Sequence, residues 1–279
     1  MLAPGDRIAV EDPSYAPPRR LFEALGLRIV GVSVDGGGLV VEALPRGISA
    51  VYVTPSDQYP LGVAMALPRR QALLAWAERN NAAIIEDDYD SEFRFGGRPL
   101  DPLQTLDSKG RVIYVGSFSK TLLPTLRLGF LVAPRSLRST LQKAKFVGDW
   151  HTPTLAQITL AHLIDDGGFA HHIRRVNRIY HERHEMLVDA ITRDFADHLV
   201  LVPSATGLPV TALACAALVS RIAAVARRAG DCGVAVQTLS LFAVDAPPRA
   251  GIVLGYGGIA TQQIPEGLRR LRQCFDSEC

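Results

Sequence analysis

The sequence has few of the features that mark secreted, membrane-embedded or nucleic-acid-binding proteins. It contains four cysteines in 279 residues and no C-x-x-C pair, which is typical of reduced thiols and not of a disulfide framework. No apolar run approaches the roughly 20 residues that a membrane span needs, and the first residues lack the basic and apolar segments of a signal peptide. The formal net charge is +2, which gives no electrostatic footprint for nucleic acid. We therefore predict a cytoplasmic protein that binds neither a membrane nor nucleic acid.

Ligands for a metal ion are also scarce. His181 and His184 lie three positions apart, whereas a zinc-protease helix needs two histidines four positions apart on one face. We interpret both histidines as polar positions on a long helix, and we predict no metal site.

The first half of the chain alternates short β-branched runs with amphipathic segments. Strands are predicted at residues 7–11, 28–34, 50–54, 83–86, 112–115 and 128–132, and helices at 17–25 and 68–80. The runs at 83–86 and 112–115 are mostly apolar, as in a sheet that is covered on both faces. This alternation predicts an α/β fold with a mainly parallel sheet.

The second half is mostly helical at its start. A long amphipathic helix is predicted at residues 170–195 after the break at Gly167 and Gly168, and it could connect two domains. Weaker patterns predict a helix at 215–228 and strands at 199–202, 234–237 and 252–254. We therefore predict a large domain at residues 1–166, and a connecting helix with a smaller α+β domain at 167–279.

A lysine follows one of the buried strands. Lys120 is flanked by small hydroxyl residues, and Arg127 lies seven positions further on in an apolar stretch. A buried lysine has a lowered pKa and can form an imine with an aldehyde, while an arginine fork suits a phosphate. The alternative is that Lys120 caps a loop and that Arg127 pairs with a core carboxylate.

Two other strands end in polar loops. The strand at 83–86 leads into a row of carboxylates at 86–92, where Asp87 could keep a pyridine nitrogen protonated and Tyr89 could donate to a phenolate oxygen. A metal site or a solvated acidic loop are the alternatives. The strand at 50–54 leads into a tight loop with two prolines and a glycine. All three loops are expected at the carboxyl edge of one sheet, where open α/β sheets bind ligands.

Together these segments resemble the fold-type I pyridoxal 5'-phosphate (PLP) enzymes of aminotransferase class I/II. More narrowly, they resemble the aminotransferase-like domain of the MocR branch of GntR-type transcriptional regulators. The matching motifs are residues 11–15 (EDPSY), 54–62 (TPSDQYPLG), 85–93 (IEDDYDSEF) and 117–129 (SFSKTLLPTLRLG).

The resemblance implies a PLP site. Lys120 would form the imine with the cofactor and move a proton during transamination, Asp87 would pair with the pyridine N–H, and Tyr89 would hydrogen-bond O3'. Four further residues would hold the phosphate or cover the ring: Ser117, Ser119 and Arg127 for the phosphate, and Tyr15 for the ring face.

The sequence also departs from the family pattern. The family's glycine-rich phosphate segment and the winged-helix domain of the regulators are expected upstream of Pro4, so we expect an N-terminally truncated domain. Gly258 stands where an arginine that binds a substrate carboxylate is common.

Three hypotheses follow. The first is a PLP-binding effector domain of a MocR-type regulator, the second is a free-standing aminotransferase, and the third is a fragment that no longer binds PLP. An amino acid or amine ligand and a homodimer are expected by resemblance.

Overall fold

The large sheet is built from the first half of the chain. The structure is a computed structural model, and it describes residues 2–95, 101–204 and 207–278. Seven strands form the sheet in the order β3-β2-β1-β4-β5-β6-β7. They are β1 (Arg7–Asp12), β2 (Arg28–Asp35), β3 (Gly38–Leu39), β4 (Ala50–Val53), β5 (Ala83–Asp88), β6 (Val112–Ser117) and β7 (Gly129–Val132). The pairs are parallel except at the two edges, where β3 and β7 run antiparallel to their neighbours.

Helices pack on both faces of this sheet. They are α1 (Ala16–Ala24), α2 (Leu67–Arg79) and the short α3 (Leu103–Leu106). Both α1 and α2 carry a proline in the first turn, where the missing N–H has no helical partner anyway. On one face, Leu73 and Trp76 of α2 pack against β4 and β5. On the other face, Phe22 of α1 packs against Tyr52.

Three helices lead away from the large sheet. They are α4 (Arg138–Asp149), α5 (Thr154–Asp165) and α6 (Gly168–Asp194). Gly167 separates the last two with a left-handed φ of 79°, which glycine adopts without strain. The first turns of α6 contact the segment around Lys120, here called the lysine segment. The ring centroids of Phe169 and Phe118 are 5.9 Å apart, and Nε2 of His172 lies 2.8 Å from the carbonyl oxygen of Thr121.

The far end of α6 belongs to a second core. Four strands form an antiparallel sheet in the order β10-β11-β9-β8. They are β8 (Leu199–Leu201), β9 (Pro209–Ala214), β10 (Gln237–Thr238) and β11 (Gly251–Gly255), with α7 (Ile222–Asp231) and α8 (Ile264–Glu278). Leu187 and Ile191 of α6 are buried in this core together with Phe275 of α8.

The predicted α/β architecture with a mainly parallel large sheet is confirmed. Two local predictions are wrong. The helix predicted at 215–228 begins only at Ile222 and is preceded by a 3-10 turn. The strand predicted at 234–237 is limited to Gln237–Thr238, because the amide of Val234 donates to the carbonyl oxygen of Ala229 and so stays with the end of α7.

The expected cover on both faces of the large sheet is also only partly present. Residues of β5 alternate between buried and half-buried, and three residues in a row in β6 are half-buried. All four residues of β7 are exposed. No helix of the described ranges has the length and apolar character to cross a membrane.

Candidate functional site

The three predicted loops meet at the carboxyl edge of the large sheet. Because β4, β5 and β6 are parallel, their last residues lie side by side. The register pairs Tyr52 with Ile85 and Asp87 with Val115. Since side chains alternate along a strand, Tyr52, Asp87 and Ser117 point to the same face of the sheet, which is the face that α1 covers.

Asp87 is held from one side. The Tyr52 hydroxyl donates a hydrogen bond to Oδ2 of Asp87, while Oδ1 accepts none from the described residues. Burial raises the pKa of the Asp87 carboxyl, and the hydrogen bond from Tyr52 acts in the opposite direction because it stabilises the carboxylate. One carboxylate oxygen of Asp87 is therefore available to a donor outside the protein.

Glu11 is the last residue but one of β1, which lies next to β4 on the side away from β5. It is only 1% exposed, and its Oε2 accepts hydrogen bonds from the Thr54 amide at 3.2 Å, the Thr54 hydroxyl at 2.8 Å and the Gln58 amide group at 3.4 Å. Its Oε1 is buried and has no hydrogen-bond partner among the described parts of the chain. Burial raises the pKa of Glu11 to about 7.

Tyr89 already has an acceptor inside the protein. Its hydroxyl donates to Oδ2 of Asp57 at 2.8 Å and to the Asp57 carbonyl oxygen at 3.0 Å. Asp57 also acts on the residue that follows Tyr89, since burial and the nearby Asp57 raise the pKa of Asp90 well above its usual range. To donate to a cofactor oxygen, Tyr89 would have to leave Asp57, so its assignment to O3' stays a prediction.

A cluster of rings lies beside these carboxyl groups. Tyr59 contacts Tyr15 edge-on at 5.2 Å and Tyr89 at 5.9 Å between ring centroids. Tyr15 is 39% exposed at the start of α1. Part of the Tyr15 ring is therefore free to pack against a planar ligand.

Hydrogen bonds from Arg70 of α2 hold the loop after β4. This arginine is 1% exposed, and its guanidinium donates to three carbonyl oxygens, those of Pro55 at 2.7 Å, Asp101 at 2.8 Å and Met65 at 2.9 Å. Because all three acceptors are backbone atoms, Arg70 sets the path of the chain and not a side-chain contact.

The lysine segment is much more open. Ser117 Oγ accepts the Ser119 amide at 3.1 Å, and the Leu122 amide donates to the carbonyl oxygen of Phe118 at 2.9 Å. Lys120 is exposed, so the expectation of a buried lysine is wrong. The reason is that β7 and the start of α4 leave this end of the sheet uncovered.

Arg127 is exposed as well and has a left-handed φ of 52°. Within the described ranges it forms no ion pair, so the alternative that it pairs with a core carboxylate is wrong. The structure thus brings Asp87, Ser117 and Tyr15 to one edge and one face. It leaves Lys120 and Arg127 on the exposed side of that edge.

Three residues of this region were missed as functional candidates. Tyr52, Asp57 and Arg70 hold Asp87, Tyr89 and the loop after β4 in place. The tyrosine gave a usable signal, because a hydroxyl within the apolar run at 50–54 needs a partner when buried. Arginine at position 70 gave none, since polar residues are ordinary on a surface helix.

The family model described as "Aminotransferase class I and II" matches residues 1–255. The chain therefore belongs to the aminotransferase class I and II family, as its fold and the loops at the carboxyl edge had indicated.

Among its relatives are transcriptional regulators. The chain is 36% identical to the uncharacterized HTH-type transcriptional regulator YhdI of Bacillus subtilis over 275 residues, which is 98% of this chain and 58% of that protein. It is 38% identical to MocR of Rhizobium meliloti, described as a probable rhizopine catabolism regulatory protein, over 97% of this chain and 55% of that protein. The chain spans somewhat more than half of these relatives, and it is an aminotransferase-like domain homologous to MocR-type regulators.

The fold is shared with free-standing enzymes. The structure of LysN, an α-aminoadipate aminotransferase of Thermus thermophilus complexed with N-(5'-phosphopyridoxyl)-L-leucine, matches with a TM-score of 0.90 and 30% identity. The match covers 99% of this chain and 72% of LysN.

Proposed function

We propose that the chain binds PLP at the carboxyl edge of its large sheet, as the effector-sensing, aminotransferase-like part of a MocR-type regulator. The observation that carries the proposal is Asp87. Its Oδ2 accepts the Tyr52 hydroxyl and its Oδ1 accepts no hydrogen bond from the residues that the structure describes, on the same face as Ser117 and next to the segment of Lys120. A carboxylate with one free oxygen fits a protonated ring nitrogen, and a half-exposed tyrosine ring beside it fits the ring face.

The residues of the chain would divide the work as follows. Asp87 would accept the ring N–H, and Tyr15 would pack against the ring. Lys120 would hold the cofactor covalently through its amine and, when released, would carry a proton at Nζ. When bound, PLP supplies an electron sink for a carbanion at the α-carbon of an amino acid. The phosphate would be bound by exposed or half-exposed groups of one loop: Ser117, Ser119 and Arg127.

The ligand class follows from this chemistry. Lys120 would be displaced from a bound aldehyde by another primary amine, so we propose an amino acid or another primary amine as effector or substrate. A homodimer and a cytoplasmic location remain predictions, and so does the division into domains at residue 166. Size measurement by light scattering tests the dimer.

A free-standing aminotransferase is the second candidate, and the likeness to LysN favours it. The segment at 255–258 weighs against it. Gly258 is exposed with no side chain to bind a carboxylate. The guanidinium of Arg183 on α6, which contacts this segment, already donates to the carbonyl oxygens of Tyr256 at 3.3 Å and Gly257 at 3.1 Å. Turnover with amino acids separates the two candidates.

The first test is the absorbance spectrum with added PLP, followed by borohydride reduction and peptide mapping. We expect a protein-dependent band and a reduced adduct on Lys120, both lost in Lys120→Ala. Lys143→Ala, an exposed lysine on α4, is the matched control and should behave like the wild type. A spectrum equal to that of free PLP would support the fragment hypothesis, and an adduct on another lysine would contradict the assignment of Lys120.

A further inference from the structure

The partner of Asp87 is a buried tyrosine of the neighbouring strand. Tyr52 is 3% exposed, its ring packs edge-on against Phe22 of α1 at 5.7 Å, and its hydroxyl donates to Oδ2 of Asp87. The tyrosine precedes the end of β4 by one residue, and the aspartate precedes the end of β5 by one. Two rigid strands therefore fix both ends of this hydrogen bond.

We propose that Tyr52 is the positioning residue of the cofactor site, which fixes one oxygen of Asp87 and so aims the other at the ring nitrogen. Its hydrogen bond also favours the ionised form of the carboxyl group. This inference rests on the proposed function, because it assigns Asp87 the ring nitrogen as its ligand.

The ionisation matters because a neutral Asp87 could not hold a protonated ring nitrogen. Burial raises the pKa of Asp87, and the adjacent Asp88 raises it further. The hydrogen bond from Tyr52 lowers it. The other groups that interact electrostatically across this site, Glu11 and Tyr15, carry no positive charge, and Tyr52 is the donor to this carboxylate among the described residues.

Tyr52 is suited to remain a hydrogen-bond donor. Its own pKa is raised well above the usual range by burial and by the negative charges of Asp87 and Glu11. A phenol with such a raised pKa keeps its proton and donates a hydrogen bond to the oxygen opposite. Tyr52 therefore stabilises the charged form of Asp87 and not the neutral form.

The chain contains a matched control on the same strand. Asp88, the next residue of β5, points to the opposite face, and its Oδ2 accepts the hydroxyl of Tyr114 at 2.7 Å. Tyr114 lies on β6 and Tyr52 lies on β4, the two strands that pair with β5. The variants Tyr52→Phe and Tyr114→Phe each remove one tyrosine hydroxyl that donates a hydrogen bond to an aspartate of β5. Only the first variant concerns the proposed site.

The first experiment needs no cofactor. Carboxyl carbons of aspartate are labelled, and Asp87 is titrated by NMR in the full chain, with circular dichroism as the check on folding. We expect Tyr52→Phe to raise the pKa of Asp87 and Tyr114→Phe to leave it as in the wild type. An unchanged pKa of Asp87 in Tyr52→Phe would overturn the inference.

The second experiment measures PLP binding by spectral titration. A hydrogen bond to a charged group is worth a factor of about ten in an equilibrium constant, so we expect Tyr52→Phe to bind PLP about tenfold more weakly while the borohydride-reducible adduct stays on Lys120. Tyr114→Phe should bind as the wild type does. Unchanged affinity in Tyr52→Phe would overturn the positioning role.

The two experiments separate this inference from the proposed function. A wild-type chain without any PLP adduct would contradict the proposed function. The NMR titration would then still decide whether Tyr52 controls the ionisation of Asp87, because it is read in the chain without cofactor.

Discussion

The site has two halves that differ in how firmly the protein holds them: an acidic half around Glu11 and Asp87, and a lysine half that comprises the segment from Ser117 to Arg127. In the acidic half, Glu11 is almost fully buried and Asp87 is half-buried, and both carboxyl groups accept hydrogen bonds from neighbouring strands or loops. In the lysine half, Lys120 and Arg127 are exposed and the neighbouring strand β7 has no buried residue. Segments with few buried contacts have low local stability. The acidic half is thus held by buried hydrogen bonds between strands and loops, whereas the lysine half is held by fewer buried contacts.

The largest expected effect on stability is that of Arg70 beside the acidic half, and Arg127 in the lysine half is its control. Replacing Arg70 with leucine leaves three carbonyl oxygens without their donor, and each such loss costs on the order of 1–3 kcal/mol. We expect Arg70→Leu to lower the free energy of unfolding by about 3–5 kcal/mol and Arg127→Leu by less than about 0.5 kcal/mol. Urea unfolding measures both, and similar losses in the two variants would remove the contrast between the halves.

A medium effect concerns Glu11 and depends on pH. Its pKa of about 7 lies above the ordinary value of 4.5, so the folded chain binds this proton more tightly than the unfolded chain does. The resulting stabilisation is fully present below pH 4.5 and is lost as the pH rises to about 7. The full loss is on the order of 3 kcal/mol.

Glu11→Gln should remove this loss. We expect the difference in free energy of unfolding between variant and wild type to change between about pH 4 and pH 8 and to stay constant above that range. Ser117→Ala, in the lysine half, is the control and should follow the wild type. A difference that does not vary with pH would mean that Glu11 titrates normally in the folded chain.

The smallest effect on stability is expected in the lysine half. Ser117→Ala removes one acceptor, that of the Ser119 amide at 3.1 Å, and should cost less than about 1 kcal/mol. In the proposed site Ser117 would bind the phosphate, so PLP affinity should nevertheless fall about tenfold when this hydrogen bond to a charged group is removed. Ser139→Ala, on the exposed surface of α4, should change neither quantity. A loss of stability in Ser117→Ala comparable to that of Arg70→Leu would refute the openness of this half.

Much of the fold could be predicted from local patterns. The alternation of apolar strands with helices places β1, β4, β5 and β6 in one parallel sheet, and parallel strands necessarily bring their following loops to one edge. The break between α5 and α6 followed from Gly167, which takes the left-handed conformation that ends a helix. These features depend on a few residues that are close in sequence.

The remaining features depend on pairings between distant residues. The bond from Tyr52 to Asp87 requires the register of β4 against β5, which single-strand patterns do not contain. The exposure of Lys120 was missed because an apolar strand was interpreted as a covered one, and cover is a property of other segments. Val234 looked extended by composition, but its amide is bound to the end of α7.

The helix α6 gives the molecule a mechanical link. Its 27 residues make a rod about 40 Å long, which touches the lysine segment through Phe169 and His172 at one end and lies in the second core through Ile191 at the other. Tilting such a rod by about 5° about one end moves the other end by about 3 Å. A displacement of the small sheet that carried α6 with it would therefore also displace the residues that contact the loop of Lys120.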